Sequence, residues 1–214
     1  MRKSRIPDVV VRRLPLYLRA AEDYARRDHV IVSSQELGQW TGLTPAQVRK
    51  DLTFFGEFGK QGIGYDAKYL ISQLHDILRL GERTDIGLVG FGNLGRALVH
   101  YHVDTHGGSG SVVRDRLHIA AIFDVDPSKI GSEQSGVPVF HVDELRDRIS
   151  ELGLKIIVIA APADHAQAVM DQCVAAGIKA VLNFAPVNLT APEDVKVHAS
   201  DLTLELQSLA FYTD

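Results

Sequence analysis

The stretch VGFGNLG, Val89 to Gly95, spaces three glycines as Gly90-x-Gly92-x-x-Gly95. It follows the apolar run TDIGLV and opens the helix-like stretch LGRALVHY, so it predicts a strand, a tight loop and a helix. Gly90 suits the tight turn, Gly92 lets backbone approach a pyrophosphate, and Gly95 allows helix and strand to pack closely. The helix N-terminus adds free N–H groups and a favourable dipole. Gly90, Phe91, Gly92, Asn93, Leu94 and Gly95 are therefore candidate dinucleotide contacts.

One such loop is a weak signal, and its neighbours strengthen it. LHIAAIFDVD predicts a second strand ending at Asp124, where a carboxylate can accept from the hydroxyls of an adenosine ribose. The acid lies farther along than usual, and the Gly- and Ser-rich insertion Asp104–Arg116 accounts for the distance. A carboxylate there would repel a 2′-phosphate and favour NAD(H) over NADP(H). Further βα units are predicted in VPVFHVDELRDRI, LKIIVIAAPADHAQAVMDQCVAAGI and KAVLNFAPVNL, with VKVHA as a last strand. Apolar runs of this kind imply a parallel sheet covered on both faces, a Rossmann-like doubly wound domain over 84–200. Ligands in such sheets lie at the carboxyl ends of the strands, which makes Ala161, Pro162, Asn183 and Phe184 candidate lining for a nicotinamide. An apolar lining would favour the uncharged reduced ring over the cationic oxidised one.

Residues 1–80 follow a different grammar. In SSQELGQWTGLTPAQVRKDLTFF, Ser33 with Glu36 and Thr44 with Gln47 are each spaced as a capping box, Pro45 suits a first helical position, and Gly42 suits the turn between. This predicts a helix-turn-helix. Val48, Leu52 and Phe55 form the apolar face of its second helix. Ala46, Arg49, Lys50 and Thr53, flanked by Gln47, form a face suited to phosphates and base edges. FGEFGKQGIGYD then predicts a glycine-rich hairpin carrying Lys60, a wing able to approach a phosphate backbone. Arg2, Lys3, Arg5, Arg12 and Arg13 add positive charge, so residues 1–80 read as a winged-helix DNA-binding domain.

Charge divides the chain in the same place. Residues 1–80 carry 13 Lys and Arg against 9 Asp and Glu, whereas residues 81–214 carry 10 against 18. The basic part suits a polyanion. The sequence has neither a membrane-spanning apolar run nor a secretory leader, so a cytoplasmic protein is expected. Cys173, the single cysteine, reads as a buried apolar residue. His100, His102 and His106 in HYHVDTH lack further ligands, and no metal is expected.

A dehydrogenase would need a substrate pocket and a proton-transferring residue, and little chain remains for them. His165 lies at a predicted helix start. Coenzyme A is an alternative ligand of the same fold, against which Asp124 argues for free ribose hydroxyls. The terminal DLTLELQSLAFYTD predicts an amphipathic helix with Leu202, Leu206, Leu209 and Ala210 in step, packed on its own domain or on a partner subunit.

VRKDLTFFGEFGKQGIGYD, VGFGNLGRAL, FDVDPSKIG, GIKAVLNFAPV and DLTLELQSLAFY, in this order along essentially the whole chain, together resemble the bacterial Rex family of redox-sensing repressors. The resemblance implies a regulator and not an enzyme: a homodimer that binds palindromic operators near genes of respiration and fermentation, senses NADH/NAD⁺, and is released from DNA by NADH. It implies that residues 201–214 form a domain-swapped dimerisation helix, with Leu206 and Leu209 in the interface. The family's switch residues fall on Arg19, Tyr101 and Asp201, the carboxylate exchanging between the other two. Two departures stand out. Gln61 occupies a wing position where many relatives carry Arg, and the Asp104–Arg116 insertion is longer than in several relatives.

Overall fold

The computed structural model describes residues 6–60, 62–104 and 116–213. The chain divides into two compact units, Met1–Glu82 and Arg83–Asp214.

The first unit opens with α1 (Asp8–Arg26), whose Val10, Leu14, Tyr17, Leu18 and Ala21 recur at helical spacing and are buried. α1 packs on α2 (Ser34–Thr41) and on α4 (Ala67–Ile77). Leu37 of α2, Leu52 of α3 (Pro45–Thr53), and Leu70 and Leu74 of α4 are almost fully buried. Each such leucine contributes about 1.5–3 kcal/mol of transfer free energy. β1 (Ile31–Val32), β2 (Gly59–Lys60) and β3 (Gly64–Asp66) form an antiparallel sheet in the order β1-β3-β2. The order α1-α2-α3-hairpin is the expected winged helix-turn-helix. Ser33 completes a reciprocal capping box with Glu36. The second box is different: Thr44 accepts from the Gln47 backbone N–H, but the Gln47 amide runs forward to a buried carboxylate, Asp51. α3 also ends at Thr53, which leaves Phe55 half-buried beyond it.

The second unit is a seven-stranded sheet of β4 (Thr84–Val89), β5 (Leu117–Asp124), β6 (Glu133–Gln134), β7 (Val137–His141), β8 (Ile156–Ile159), β9 (Ala180–Asn183) and β10 (Lys196–Ala199). Its order is β10-β9-β8-β4-β5-β7-β6, with every pair parallel except β6 and β7. The chain winds outward from β4 in both directions, the doubly wound pattern. Neighbouring residues point to opposite faces: Leu88 and Ile122 join the cluster beneath Val99 of α5 (Asn93–Asp104). Val89 and Phe123 join the cluster with Leu145 and Ile149 of α6 (Leu145–Glu151) and Met170 of α7 (Ala163–Ala175).

Two elements depart from expectation. No helix forms between β9 and β10, because the Asn183 side chain bonds to Ala185 and Val187 and holds a turn, and Pro186 and Pro192 interrupt the connecting segment. A short hairpin, β6–β7, turns through Ser135 and Gly136, both at positive φ. The terminal α8 (Leu202–Ala210) buries none of its side chains. Leu202, Leu204, Leu206 and Leu209 are each more than half exposed, as are Phe211 and Tyr212.

Candidate nucleic-acid interface and dinucleotide site

α3 presents Ala46, Arg49, Lys50 and Thr53 to solvent, while Val48 and Leu52 face the core. The Arg49 guanidinium donates to Ser34 Oγ at 2.8 Å, and the Thr53 hydroxyl donates to the Arg49 carbonyl at 2.7 Å. Between α3 and the hairpin lies an open cleft of ≈ 1020 Å³, lined by Ser34, Arg49, Thr53, Gly59 and Ile63 among others. Gly64 shapes the hairpin: at φ +109, its missing Cβ would stand 2.7 Å from the Val32 carbonyl oxygen. Arg12 is exposed. The Lys60 side chain, Gln61, Arg2, Lys3 and Arg5 lie outside the described residues.

Sequence reading passed over the centre of this unit. Asp51, on the inner side of α3, is completely buried. Its Oδ2 accepts from the Tyr17 hydroxyl at 2.7 Å and from Arg13 at 3.0 Å, and its Oδ1 accepts from the Gln47 amide at 2.6 Å. Burial pushes the carboxyl up, but the three hydrogen bonds outweigh it and hold Asp51 below the usual carboxylate range. Burial and the same contact raise the Tyr17 phenol. Arg13 and Gln47, both predicted to meet DNA, are thus tied to α3 from within, although Arg13 keeps about a quarter of its side chain exposed. The available signal was an acid set beside the apolar Leu52 on the inner side of the helix, masked by the basic residues around it.

In the second unit, Gly90 turns the chain at φ +96, where a Cβ would meet the Ala160 carbonyl oxygen at 2.6 Å. A Cβ on Gly95 would run into the Gly90 carbonyl oxygen, whereas one on Gly92 would stand in open space. That open position lies just before the α5 N-terminus, with Asn93 and Leu94 exposed beside it. The backbone here has the room and the free helix end that a pyrophosphate requires, so the residues fit a dinucleotide. Phe91 contributes differently: its ring is buried, and its N–H donates to Asp124. Arg96, which sequence reading omitted, places its guanidinium 5.8 Å from the Phe91 ring centre on the first turn of α5.

Asp124 is nearly buried and already well engaged. Oδ1 accepts from Asp126 N–H at 2.9 Å, and Oδ2 accepts from Phe91 N–H at 2.7 Å and Lys129 Nζ at 3.2 Å. These bonds overcome burial and hold its carboxyl below the usual range. The acid therefore clasps the glycine loop to the end of β5 before it meets any ribose. Lys129 compensates part of the charge on which the expected discrimination against a 2′-phosphate relied.

Ala161 and Pro162 follow β8, and half-buried Phe184 follows β9, joined to the Ile159 carbonyl through its N–H. Asn183 corrects the expectation of a lining side chain: it is 1% exposed, and its amide is spent on Ala185 and Val187. Tyr101 is exposed on α5, and Arg19 on α1. Asp201 has a role not foreseen: its Oδ1 caps α8, accepting from Thr203 and Leu204 N–H. Cys173 is buried, with its thiol pushed up to about 12 by burial. Among the described residues no group of three His, Cys, Asp or Glu could hold a metal, and no helix is long and apolar enough to cross a membrane. The His102 side chain, His106 and positions 105–115 of the insertion lie outside them.

Comparison with known proteins places these two sites in context. A family model described as a CoA binding domain matches residues 81–187, and one described as "Putative DNA-binding protein N-terminus" matches residues 5–53. A redox-sensing transcriptional repressor Rex of Brevibacillus brevis is 43% identical over 209 residues, covering 98% of this chain and 97% of the relative. That of Natranaerobius thermophilus is 41% identical, covering 98% and 92%. Among solved structures, RSP in complex with β-NAD⁺ and operator DNA aligns with a TM-score of 0.85 at 34% identity, covering 98% of this chain and 93% of that one. RSP in complex with β-NADH aligns at 0.82 and 32% identity, covering 98% and 94%.

Proposed function

This chain belongs to the Rex family of redox-sensing transcriptional repressors, and we propose that it binds a palindromic operator as a homodimer and is released from it by NADH. It is a regulator and not an enzyme. The observation that carries the reading is the pairing, in one chain, of an exposed Arg49–Lys50–Thr53 helix face beside a wing with a glycine loop left open at Gly92.

Arg49, Lys50 and Thr53 enter the major groove, with Arg12, Arg13 and Lys60 on flanking phosphates. Gly90 to Gly95 hold the pyrophosphate, and Asp124 keeps acceptor capacity for one ribose hydroxyl. Ala161, Pro162 and Phe184 line the nicotinamide half. The bound nucleotide supplies its redox state as a signal, because an apolar lining favours the neutral reduced ring over the cation. NADH shifts the DNA-binding equilibrium only by its differential affinity for the two forms, and a hundredfold preference corresponds to about 2.7 kcal/mol.

The exposed apolar side of α8, Leu206 and Leu209 included, supports exchange of residues 201–214 with a partner subunit, which supplies the two-fold symmetry a palindrome requires. Asp201 exchanges between Arg19 and Tyr101. Because Oδ1 caps α8, Oδ2 is the atom left for that exchange. The protein works in the cytoplasm.

The test is equilibrium binding of NADH, followed by its fluorescence, with NAD⁺, NADPH and coenzyme A as competitors. NADH should bind tightest. Coenzyme A displacing NADH at equal concentration would overturn the nucleotide assignment.

A further inference from the structure

Asp51 accepts from the Gln47 amide at 2.6 Å, from Tyr17 at 2.7 Å and from Arg13 at 3.0 Å. An ionised carboxylate accepts hydrogen bonds and cannot donate them. The end of the Gln47 amide turned toward it is therefore the NH₂ end. Amide orientation is ordinarily settled by the surrounding network, and here an acceptor-only neighbour settles it. Oε1 is left as the opposite end.

The position of Gln47 gives this orientation a consequence. It is the third residue of α3, half-buried, at the border of the face that exposes Arg49 and Lys50. The N-terminal residues of a recognition helix are those that meet base edges. Arg13 pairs with the same carboxylate, so that its negative charge is compensated close to a phosphate-binding face.

We propose that Asp51 is a specificity-positioning residue: by taking an N–H of the Gln47 amide, it fixes Oε1 outward as an acceptor for an exocyclic amine, adenine N6 or cytosine N4, in the major groove. Guanine and thymine present acceptors in the corresponding place, O6 and O4, and meet Oε1 acceptor to acceptor. Asp51 itself touches no base. The inference rests on the reading of α3 as the DNA-reading helix.

Asparagine at position 51 offers both a donor and an acceptor, so either end of Gln47 can face it. The test takes the full-length chain, Asp51→Asn, Gln47→Ala and the double variant. Each selects duplexes from a random-sequence pool, and Trp40 fluorescence follows its thermal unfolding. The wild type should favour adenine or cytosine at one symmetry-related pair of positions by roughly tenfold. Asp51→Asn and Gln47→Ala should each erase that preference there and leave the others, and the double variant should lose no more. An unchanged preference in Asp51→Asn overturns the proposal, as does a uniform loss of affinity with all preferences intact, which marks a purely structural residue. A wild type that enriches no duplex overturns the DNA-binding reading instead. If Asp51→Asn lacks a cooperative transition, Asp51→Glu takes its place. The longer side chain is still acceptor-only, so the same base should be retained, and its loss overturns the proposal.

Discussion

Each unit sets a nearly buried carboxylate behind its working element, and the two are satisfied in different ways. Asp51 is held by the side chains of Tyr17, Arg13 and Gln47, and so joins α1 to α3. Asp124 is held mainly by the backbone N–H groups of Phe91 and Asp126, with Lys129 added, and so joins a loop to a strand end. Side-chain partners come from elsewhere in the sequence and can be removed by single substitutions. Backbone partners, one in the glycine loop at Phe91 and one just past β5 at Asp126, persist through most of them. The DNA-reading unit is therefore the more sensitive of the two to loss of its acid.

Asp51→Ala tests that contrast most strongly. It leaves the Tyr17 hydroxyl buried without its acceptor and strips Arg13 of its partner, and should cost about 3–5 kcal/mol. Trp40, the only tryptophan, lies in α2 of the first unit, so urea unfolding followed by its fluorescence reports on that unit. Asp124→Asn should cost about 1–3 kcal/mol in the far-UV transition, because asparagine's single carbonyl oxygen accepts from only one of the two backbone N–H groups and its NH₂ faces the other. Equal losses in the two variants would break the comparison.

Gly92→Val separates function from fold within the second unit. The side chain enters open space, so unfolding should shift by less than about 0.5 kcal/mol. NADH affinity should fall at least a hundredfold, about 2.7 kcal/mol, because backbone approach to the pyrophosphate is blocked. Retained affinity in a calorimetric titration would remove the pyrophosphate from this loop.

Acid sharpens the contrast further. Both carboxyls lie below their ordinary range when folded, so the unfolded chain takes up protons first as pH falls. The stability they confer is complete above the unfolded value, about 3.9, and is lost as pH drops through the depressed folded values. The Trp40 transition should weaken below about pH 4 in the wild type, and Asp51→Ala should flatten that slope.

The smallest effect on stability belongs to Asp201→Asn. Asparagine caps a helix as well as aspartate does, so α8 should change by a few tenths of a kcal/mol, whereas alanine costs about 1 kcal/mol. If the charge of Asp201 carries the exchange between Arg19 and Tyr101, Asp201→Asn should bind operator normally and lose most of its NADH response. An undiminished response would remove Asp201 from the switch.

The fold was legible where chemistry left a periodic or steric mark. Gly90 and Gly95 each occupy a position whose space or φ accounts for glycine, and Ser33, Thr44 and Pro45 begin helices where their caps require. Tertiary polar contacts were not legible. Beyond its place on the inner side of α3, little local marks Asp51 as a buried acid, because its partners on α1 stand 34 and 38 residues away. Asn183 was misread for a related reason, and the inward bond of Gln47 was not foreseen: an amide suited to a ligand is equally suited to a carboxylate or a turn, and only the surroundings decide. The terminal helix showed its apolar side but not what covers it.

The most direct measurement is fluorescence anisotropy of the full-length protein on a labelled palindromic duplex enriched from a random pool, titrated separately with NADH and NAD⁺. Release at low NADH, with far weaker release by NAD⁺ and no loss of NADH absorbance over the titration, is the expected result. Tight binding indifferent to both nucleotides would contradict the redox reading.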